Sequence, residues 1–250
     1  MRAVVAGLVG LALCAGPLAA QAPSECSSGD TAIGAVFPVP FAAKAIATTR
    51  KLNVLVVGAG SSTLPGPEGA RFAYPARLKA ALEKRLPGTA VSVTTDVIRR
   101  RTAADMVRAI EPALTAAEAS LVIWQTGTTD AMRSIDPEVF GAALERGIDI
   151  ARSAGSDVVL MNMQYSPRTE LMVAVGHYAE ALRWVALQRG VSLFDRFALM
   201  KSWSELGVFK LRGSANKLDT ARRVHDCIGR LLAELVVEAA GQSGEAIKAK

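Results

Sequence analysis

Residues Val54–Thr63 read VLVVGAGSST, an unbroken apolar run that leads into a turn of small residues. An apolar run this short is typical of a strand buried on both faces, as in a parallel sheet. The Gly-Ala-Gly turn lets the backbone bend sharply and lets another group approach closely. Because functional sites of open α/β sheets lie at the carboxyl ends of the strands, we expect Ser61 and Ser62 to lie at such a site.

Short apolar runs alternate with longer segments of helical periodicity along the rest of the chain. The predicted strands are 52–58, 90–94, 121–126, 157–163 and 191–194. The predicted helices are 41–48, 75–86, 102–114, 136–154, 169–189, 197–206 and 220–239. Strands that alternate with helices of this length indicate βαβ units, and therefore an α/β fold with a parallel sheet.

The chain begins with the pattern of a secretory signal. Residues 1–20 hold one early cation, an apolar run and then small residues that end at Ala20. The run is too short to span a membrane as a stable helix, so we expect no stable membrane insertion once it is removed. A lipid anchor at Cys14 is an alternative, although the bulky Leu13 precedes it. We therefore expect a periplasmic or secreted protein.

The remaining chain divides into three segments. Residues 21–50 are predicted to be an N-terminal arm, 51–240 a single domain and 241–250 a flexible tail. Cys26 and Cys227 stay after the signal is removed, and disulfides persist in exported proteins. A bridge between them would tie the arm to the last helix, while two buried free thiols are the alternative. No cysteine pair has the spacing of a metal site, and we expect no metal and no cofactor.

Composition argues against several ligand classes. The formal charge is +6 and the isoelectric point about 9.5, but the basic residues are scattered. Nucleic-acid binding would need a basic face with interleaved aromatic residues, so no nucleic acid is expected. A dinucleotide site is not favoured, because the turn lacks the third glycine and Pro65 and Pro67 interrupt the helix that should follow. A P-loop is excluded because no Gly-Lys-Ser/Thr occurs.

Three blocks resemble the SGNH (GDSL) hydrolase family, in the order that the family has them. Ala59–Thr63 (AGSST) is similar to its G-D-S-x-T block, and Ile98–Met106 (IRRRTAADM) to the segment around its oxyanion glycine. Trp124–Asp130 (WQTGTTD) is similar to its strand that ends in G-x-N. The phrases VVLMNMQYSP and FDRFALM resemble an exported bacterial branch. The resemblance covers about residues 52–240 and implies a three-layer αβα sandwich of about five parallel strands in flavodoxin-like order.

The resemblance also implies roles for individual residues. Ser61 takes the place of the nucleophile, with Gly60 where the family has aspartate. Arg100 takes the place of the oxyanion glycine. Gly127 matches the glycine of G-x-N, and Thr129 stands at its asparagine, where a hydroxyl donates one weaker hydrogen bond.

The acid–base pair departs furthest from the family. Its D-x-x-H falls on Asn216 and Asp219, and neither residue supplies an imidazole base matched to neutral pH. A shifted alignment makes His225 the base, with Asp219 or Asp226 as its orienting carboxylate. The alternative is that His225 is a histidine on the surface of the last helix.

Two functional hypotheses remain open at this point. The first is an exported serine ester hydrolase for O-acyl or O-acetyl esters, such as a small ester or an acylated glycan, with a rebuilt active site. The second is a non-catalytic SGNH-like protein of the cell envelope whose cleft binds a ligand or a partner. Family resemblance favours the first hypothesis. The replaced helper residues favour the second, because loss of one oxyanion donor alone lowers the rate ~10²–10³-fold.

Overall fold

The computed structural model describes residue 26, residues 34–211 and residues 217–248. The strands are β1 (Lys51–Gly58), β2 (Ala90–Val97), β3 (Leu121–Gln125), β4 (Asp157–Met161) and β5 (Ser192–Phe194). The helices are α1 (Pro40–Thr49), α2 (Gly69–Phe72), α3 (Tyr74–Arg85), α4 (Ala103–Ala117), α5 (Thr128–Met132), α6 (Pro137–Ser153), α7 (Pro167–Met172), α8 (Gly176–Arg189), α9 (Arg196–Glu205) and α10 (Lys217–Lys248).

The five strands form one parallel sheet in the order β2-β1-β3-β4-β5. This order confirms the predicted flavodoxin-like arrangement. The chain turns from one half of the sheet to the other between β1 and β3, which are neighbours although β2 separates them in sequence. The carboxyl ends of the strands next to this switch point are where an open α/β sheet forms its site.

The alternating side chains of β1 explain why residues 54–57 of this strand are all apolar. Leu52, Val54 and Val56 pack into one core layer, against α1, α3, α9 and α10. Leu55 and Val57 pack into the opposite layer, against α4, α6 and α8. Successive side chains of a strand point to opposite faces, so both faces must be apolar when helices cover both. The result is the predicted three-layer αβα sandwich.

A capping box begins α4. The Thr102 hydroxyl accepts a hydrogen bond from the Asp105 backbone N–H, and the Asp105 carboxylate accepts one from the Thr102 N–H. Backbone groups that no helical partner can satisfy are thus paired at the start of the helix.

Replacing Thr102 with alanine is expected to lower the free energy of unfolding by about 1 kcal/mol, because one capping hydrogen bond is lost. Urea unfolding measures the change. Thr115→Ala is the matched control, since the exposed Thr115 hydroxyl bonds only to the Glu111 carbonyl within the same helix. Equal losses in the two variants would contradict the capping role.

The largest differences from the predicted bounds are in two helices. The expected helix over 169–189 is two helices, α7 and α8, with a break at residues 173–175. Val173, Val175 and Gly176 have low helix propensity, which explains the break. The last helix continues to Lys248 instead of ending near residue 239, and the buried Ser243 hydroxyl donates to the Ala239 carbonyl across the expected end.

A disulfide joins Cys26 to Cys227, which confirms the predicted pair. It ties residue 26 of the arm to α10 across 201 residues of sequence. In the chain-entropy model a loop of this length contributes about 5 kcal/mol of stability. The expected signal segment 1–20 lies outside the described residues.

No described helix has both the length and the apolar character needed to cross a bilayer.

Candidate active site

The residues that follow β1, β4 and β5 meet α10 around a cavity of about 350 Å³. Ser61 lines it from the 3-10 turn after β1, and Gln164 lines it from the loop after β4. Arg196 lines it from the first turn of α9, directly after β5, and His225 lines it from α10. We call this space the Ser61 cavity.

The Ser61 hydroxyl lies between an amide and a guanidinium. Its Oγ donates to Gln125 Oε1 at 3.2 Å and accepts from an Arg196 N–H at 3.4 Å. The same Gln125 oxygen accepts from the Ala59 backbone N–H at 3.3 Å. Gln125 is fully buried at the end of β3, and these two hydrogen bonds hold the turn that follows β1 in place. In the part of the chain that the structure describes, no histidine or carboxylate hydrogen bonds to Ser61.

Ser62 has a structural role. It is buried, and its Oγ donates to Gln125 Oε1 at 3.0 Å while it pairs with the Tyr74 hydroxyl at 3.0 Å. A Cβ at Gly58 would lie 2.3 Å from Ser62 Oγ, so only glycine leaves room for this contact. Of the two serines of the turn, Ser61 is therefore the one that lines the cavity.

Arg196 is fully buried behind Ser61. Its guanidinium donates to the Ser61 carbonyl at 3.1 Å and to Gln164 Oε1 at 3.2 Å, besides the contact with Ser61 Oγ. Burial lowers the pKa of Arg196 to about 10. The side chain is thus still a cation at neutral pH, and it lies at the buried end of the cavity.

His225 is buried, which contradicts the alternative of a surface histidine; only 3% of the residue is exposed. Its Nδ1 accepts a hydrogen bond from the Tyr74 backbone N–H at 2.9 Å. Burial lowers the pKa of His225 to about 3, with a further contribution from the positive charge of Arg196. The imidazole is therefore neutral at pH 7. Because a backbone N–H can only donate, the ring proton must be on Nε2.

The segment aligned with the oxyanion glycine keeps a glycine-like backbone. Arg100 is exposed and has φ 63°, in the left-handed region that glycine favours. The neighbouring Arg99 side chain lies against the Ser61 turn, since a Cβ at Gly60 would lie 3.4 Å from its Cγ. Gly60 itself lines the cavity.

The residues after β3 build the neighbouring turn and lie outside the cavity lining. Gly127 has φ +100°, and a Cβ there would lie 2.6 Å from Met163 Sδ, so the glycine is required. Thr129 is half-buried in α5. Asp130, next to it, accepts a hydrogen bond from the Ala103 N–H at the start of α4, and burial raises its pKa. This turn therefore holds α5 against α4.

The expected acid–base positions do not converge on Ser61. Asp219 is exposed in the first turn of α10, and it is not among the described residues that line the cavity. Asn216 lies outside the described residues. Of the predicted site residues, the structure thus brings Gly60, Ser61 and His225 to one cavity, and it places Arg100, Gly127, Thr129 and Asp219 elsewhere.

Sequence reasoning missed the polar side chains that surround Ser61. Gln125 and Arg196 contact its hydroxyl, Gln164 contacts Arg196, and Tyr74 holds both Ser62 and His225. A signal did exist for Gln125, because it ends the otherwise apolar strand LVIWQ. Buried polar side chains within such a run are uncommon enough to indicate a role. In the described residues, no three His, Cys, Asp or Glu side chains gather as metal ligands would.

Comparison with solved structures gives the fold relationship. The crystal structure of a lipase/acylhydrolase from Enterococcus faecalis superimposes with a TM-score of 0.58 at 18% identity, over 76% of this chain and 97% of that one. A catalytic mutant of Axe2, an acetylxylan esterase from Geobacillus stearothermophilus, gives 0.57 at 18% identity over 76% and 94%. The crystal structure of TesA gives 0.55 at 20% identity over 73% and 99%. A search of curated proteins returned no significant match.

Sequence comparison gives the family. The model of the non-GDSL lipase-like family matches residues 25–242, which include the whole sheet and the Ser61 cavity. The family-like sequence blocks, the sheet order and these matches all indicate the same family of hydrolases. The chain belongs to the non-GDSL lipase-like family, and its fold is that of the SGNH (GDSL) hydrolases.

Proposed function

We propose that this protein is exported to the cell envelope and uses the Ser61 cavity to bind an ester or acylated ligand, without serine–histidine ester hydrolysis. One observation carries the proposal, which is the hydrogen bond from the Tyr74 N–H to His225 Nδ1. A serine hydrolase needs an imidazole whose free nitrogen accepts the serine proton. In His225 the nitrogen that is left free, Nε2, carries the ring proton and is therefore a donor.

Moving the ring proton would not restore the base at low cost. A proton on Nδ1 would face the Tyr74 N–H, so two donors would oppose each other inside the core. Protonation of both nitrogens gives a cation that accepts no proton, and burial and Arg196 already oppose it. His225 is therefore a hydrogen-bond donor to the cavity at neutral pH.

The surroundings of Ser61 support the same conclusion. Its proton is shared with the Gln125 amide oxygen, which is far too weak a base to remove it. The aligned positions Arg100 and Thr129 lie outside the cavity lining, so the oxyanion donors of the family would have to be supplied differently.

The ligand class follows from the cavity and from the neighbours. Its walls combine the polar groups with apolar side chains of Leu64, Met200 and Val224. Axe2, one of the structural neighbours, is an acetylxylan esterase. An acylated glycan or a small ester is therefore the ligand class that we propose. The signal pattern of residues 1–20 and the Cys26–Cys227 bridge support export.

A hydrolysis assay tests the proposal. Purified protein and its Ser61→Ala variant are compared on p-nitrophenyl acetate, and both are treated with a fluorophosphonate probe that labels activated serines. We expect equal rates in the two proteins and no mass shift on Ser61. Turnover or labelling that disappears in Ser61→Ala would overturn the proposal.

Ester hydrolysis is the second candidate. Ser61 and His225 line the same cavity, and the Arg196 cation beside Ser61 Oγ would stabilise a developing alkoxide. This candidate requires His225 to break its bond with the Tyr74 N–H. It predicts a rate that depends on both Ser61 and His225, which the same assay with His225→Asn measures.

A further inference from the structure

Arg196 is a buried cation with no anionic partner among the described residues. None of the Asp and Glu side chains in the described residues forms an ion pair with it, and its three hydrogen bonds go to neutral oxygens. Its Nε is buried and bonds to no described group. A buried charge loses its hydration, which is strongly unfavourable unless an opposite charge compensates it.

The neighbouring groups do not neutralise this charge. The Tyr74 ring lies 5.8 Å from the Arg196 guanidinium carbon, but burial raises the pKa of its hydroxyl, so the phenol is uncharged at neutral pH. His225 is neutral as well. Among the described residues, no carboxylate lines the Ser61 cavity, whereas Lys210 and Lys217 do. The cavity therefore has a positive floor and a positive rim.

We propose that the Ser61 cavity binds a small organic carboxylate, with the negative charge of the ligand serving as the missing counter-charge of Arg196. This inference rests on the proposed ligand-binding role of the cavity, and it adds a free carboxylate to the chemistry of the acylated ligand proposed there. The carboxylate lies over Ser61, and the carbon chain lies against the apolar wall of Leu64, Met200 and Val224.

Ser61 connects the buried cation to the ligand. Its Oγ accepts from Arg196, and its O–H turns from Gln125 to the carboxylate. This rotation of the Ser61 hydroxyl leaves no buried acceptor unpaired, because Gln125 Oε1 keeps two other donors, the Ala59 N–H and the Ser62 hydroxyl. A hydroxyl that accepts from a cation is a stronger donor, since hydrogen bonds in a chain polarise one another. The N–H of His225 Nε2 gives a second donor without adding charge.

A titration with matched ligands tests the charge requirement. The purified protein is titrated by calorimetry with sodium hexanoate and with hexanamide, which has nearly the same shape and no charge. We expect hexanoate to bind at least tenfold more tightly than hexanamide. Equal affinities, or no binding of hexanoate, would overturn the proposal. Binding of inorganic phosphate as tight as that of hexanoate would overturn it too, because it would indicate a bare oxyanion site.

Variants test the assigned groups. Ser61→Ala should weaken hexanoate binding about tenfold and leave hexanamide binding nearly unchanged. The double variant Lys210→Gln and Lys217→Gln changes only exposed side chains, so it should fold, and it should lower hexanoate affinity several-fold and flatten its salt dependence. Lys84→Gln is the control, an exposed lysine ten residues along α3 from Tyr74 and thus about 15 Å away. If all three variants bound hexanoate alike, the assignment would be wrong.

The two proposals fail in different ways. Ser61-dependent hydrolysis with tight hexanoate binding would overturn the non-catalytic role and keep the carboxylate site, which would then hold a reaction product. Absence of both hydrolysis and hexanoate binding would overturn the carboxylate site and leave the non-catalytic role in place.

Discussion

Replacing Gly229 with alanine is expected to lower the free energy of unfolding by about 2 to 3 kcal/mol, although alanine is the better helix former. Gly229 lies in α10 where this helix crosses α3. A Cβ at this position would lie 2.5 Å from Arg77 Cβ and 2.8 Å from both the Arg77 carbonyl carbon and the Leu78 nitrogen. Two of these three atoms belong to the α3 backbone, so the helices must separate to admit the methyl group.

Gly241→Ala in the same helix is the matched control. No heavy atom lies within 4 Å of the Cβ that would be added there, so only helix propensity changes. We expect a gain of about 1 kcal/mol at this position. Urea unfolding of both variants measures the two effects, which have opposite signs. A stabilised Gly229→Ala variant would contradict the close contact between α10 and α3.

Acidification from about pH 6 to pH 4 is expected to destabilise the protein through His225 by up to about 1.4 kcal/mol per pH unit. The pKa of this side chain is about 3 in the fold and 6.5 in the unfolded chain. The unfolded chain therefore binds the proton first. The stabilising contribution is complete above about pH 6.5 and is lost progressively as the pH falls toward 3.

The His225→Asn variant isolates this contribution. Asparagine keeps an oxygen that can accept from the Tyr74 N–H and does not titrate, so the pH slope should become shallower by the stated amount. His177→Asn is the matched control for replacing a histidine with asparagine, because His177 is exposed on α8. Comparison with wild type also cancels Asp157, whose pKa burial raises to about 6 and whose contribution has the opposite sign. Equal slopes in wild type and His225→Asn would show that His225 is not a buried neutral imidazole.

Both predictions concern the contact between α10 and α3, which also positions His225. The close crossing at Gly229 brings α10 against α3, and the same pair of helices brings His225 Nδ1 to the Tyr74 N–H. Glycine at 229 therefore stabilises the fold and positions the histidine in the tautomer that donates to the cavity. A variant that separates the helices should also raise the pKa of His225, because water would reach the ring.

The sequence was sufficient for the fold, because its signals are local. The apolar run of β1, the Gly-Ala-Gly turn and the Thr102 cap act through neighbouring residues, and strands that alternate with helices permit few arrangements of a parallel sheet. The three family-like blocks added the sheet order. The helix break at 173–175 was missed because it depends on weak propensities, which tertiary packing often overrides.

The candidate site was predictable only in part. Ser61 and Gly60 were predicted from a family-like motif. The pairing of Cys26 with Cys227 was predicted from the expected export of the chain, so both predictions needed only the sequence. Gln125, Gln164 and Arg196 follow three different strands. No spacing in the sequence indicates that Gln125 and Arg196 meet at the Ser61 hydroxyl, or that Gln164 binds Arg196.

The sequence by itself therefore determined the α/β sandwich, the family and the position of Ser61. Only the tertiary structure decided what surrounds that serine. It places there a buried arginine that pairs with no carboxylate in the described part of the chain, and a histidine whose Nδ1 faces a backbone N–H. The physical reason is that the charge of Arg196 and the tautomer of His225 depend on burial and on partners 135 and 151 residues away in sequence. Such properties arise when the chain folds and cannot be assigned to any segment alone.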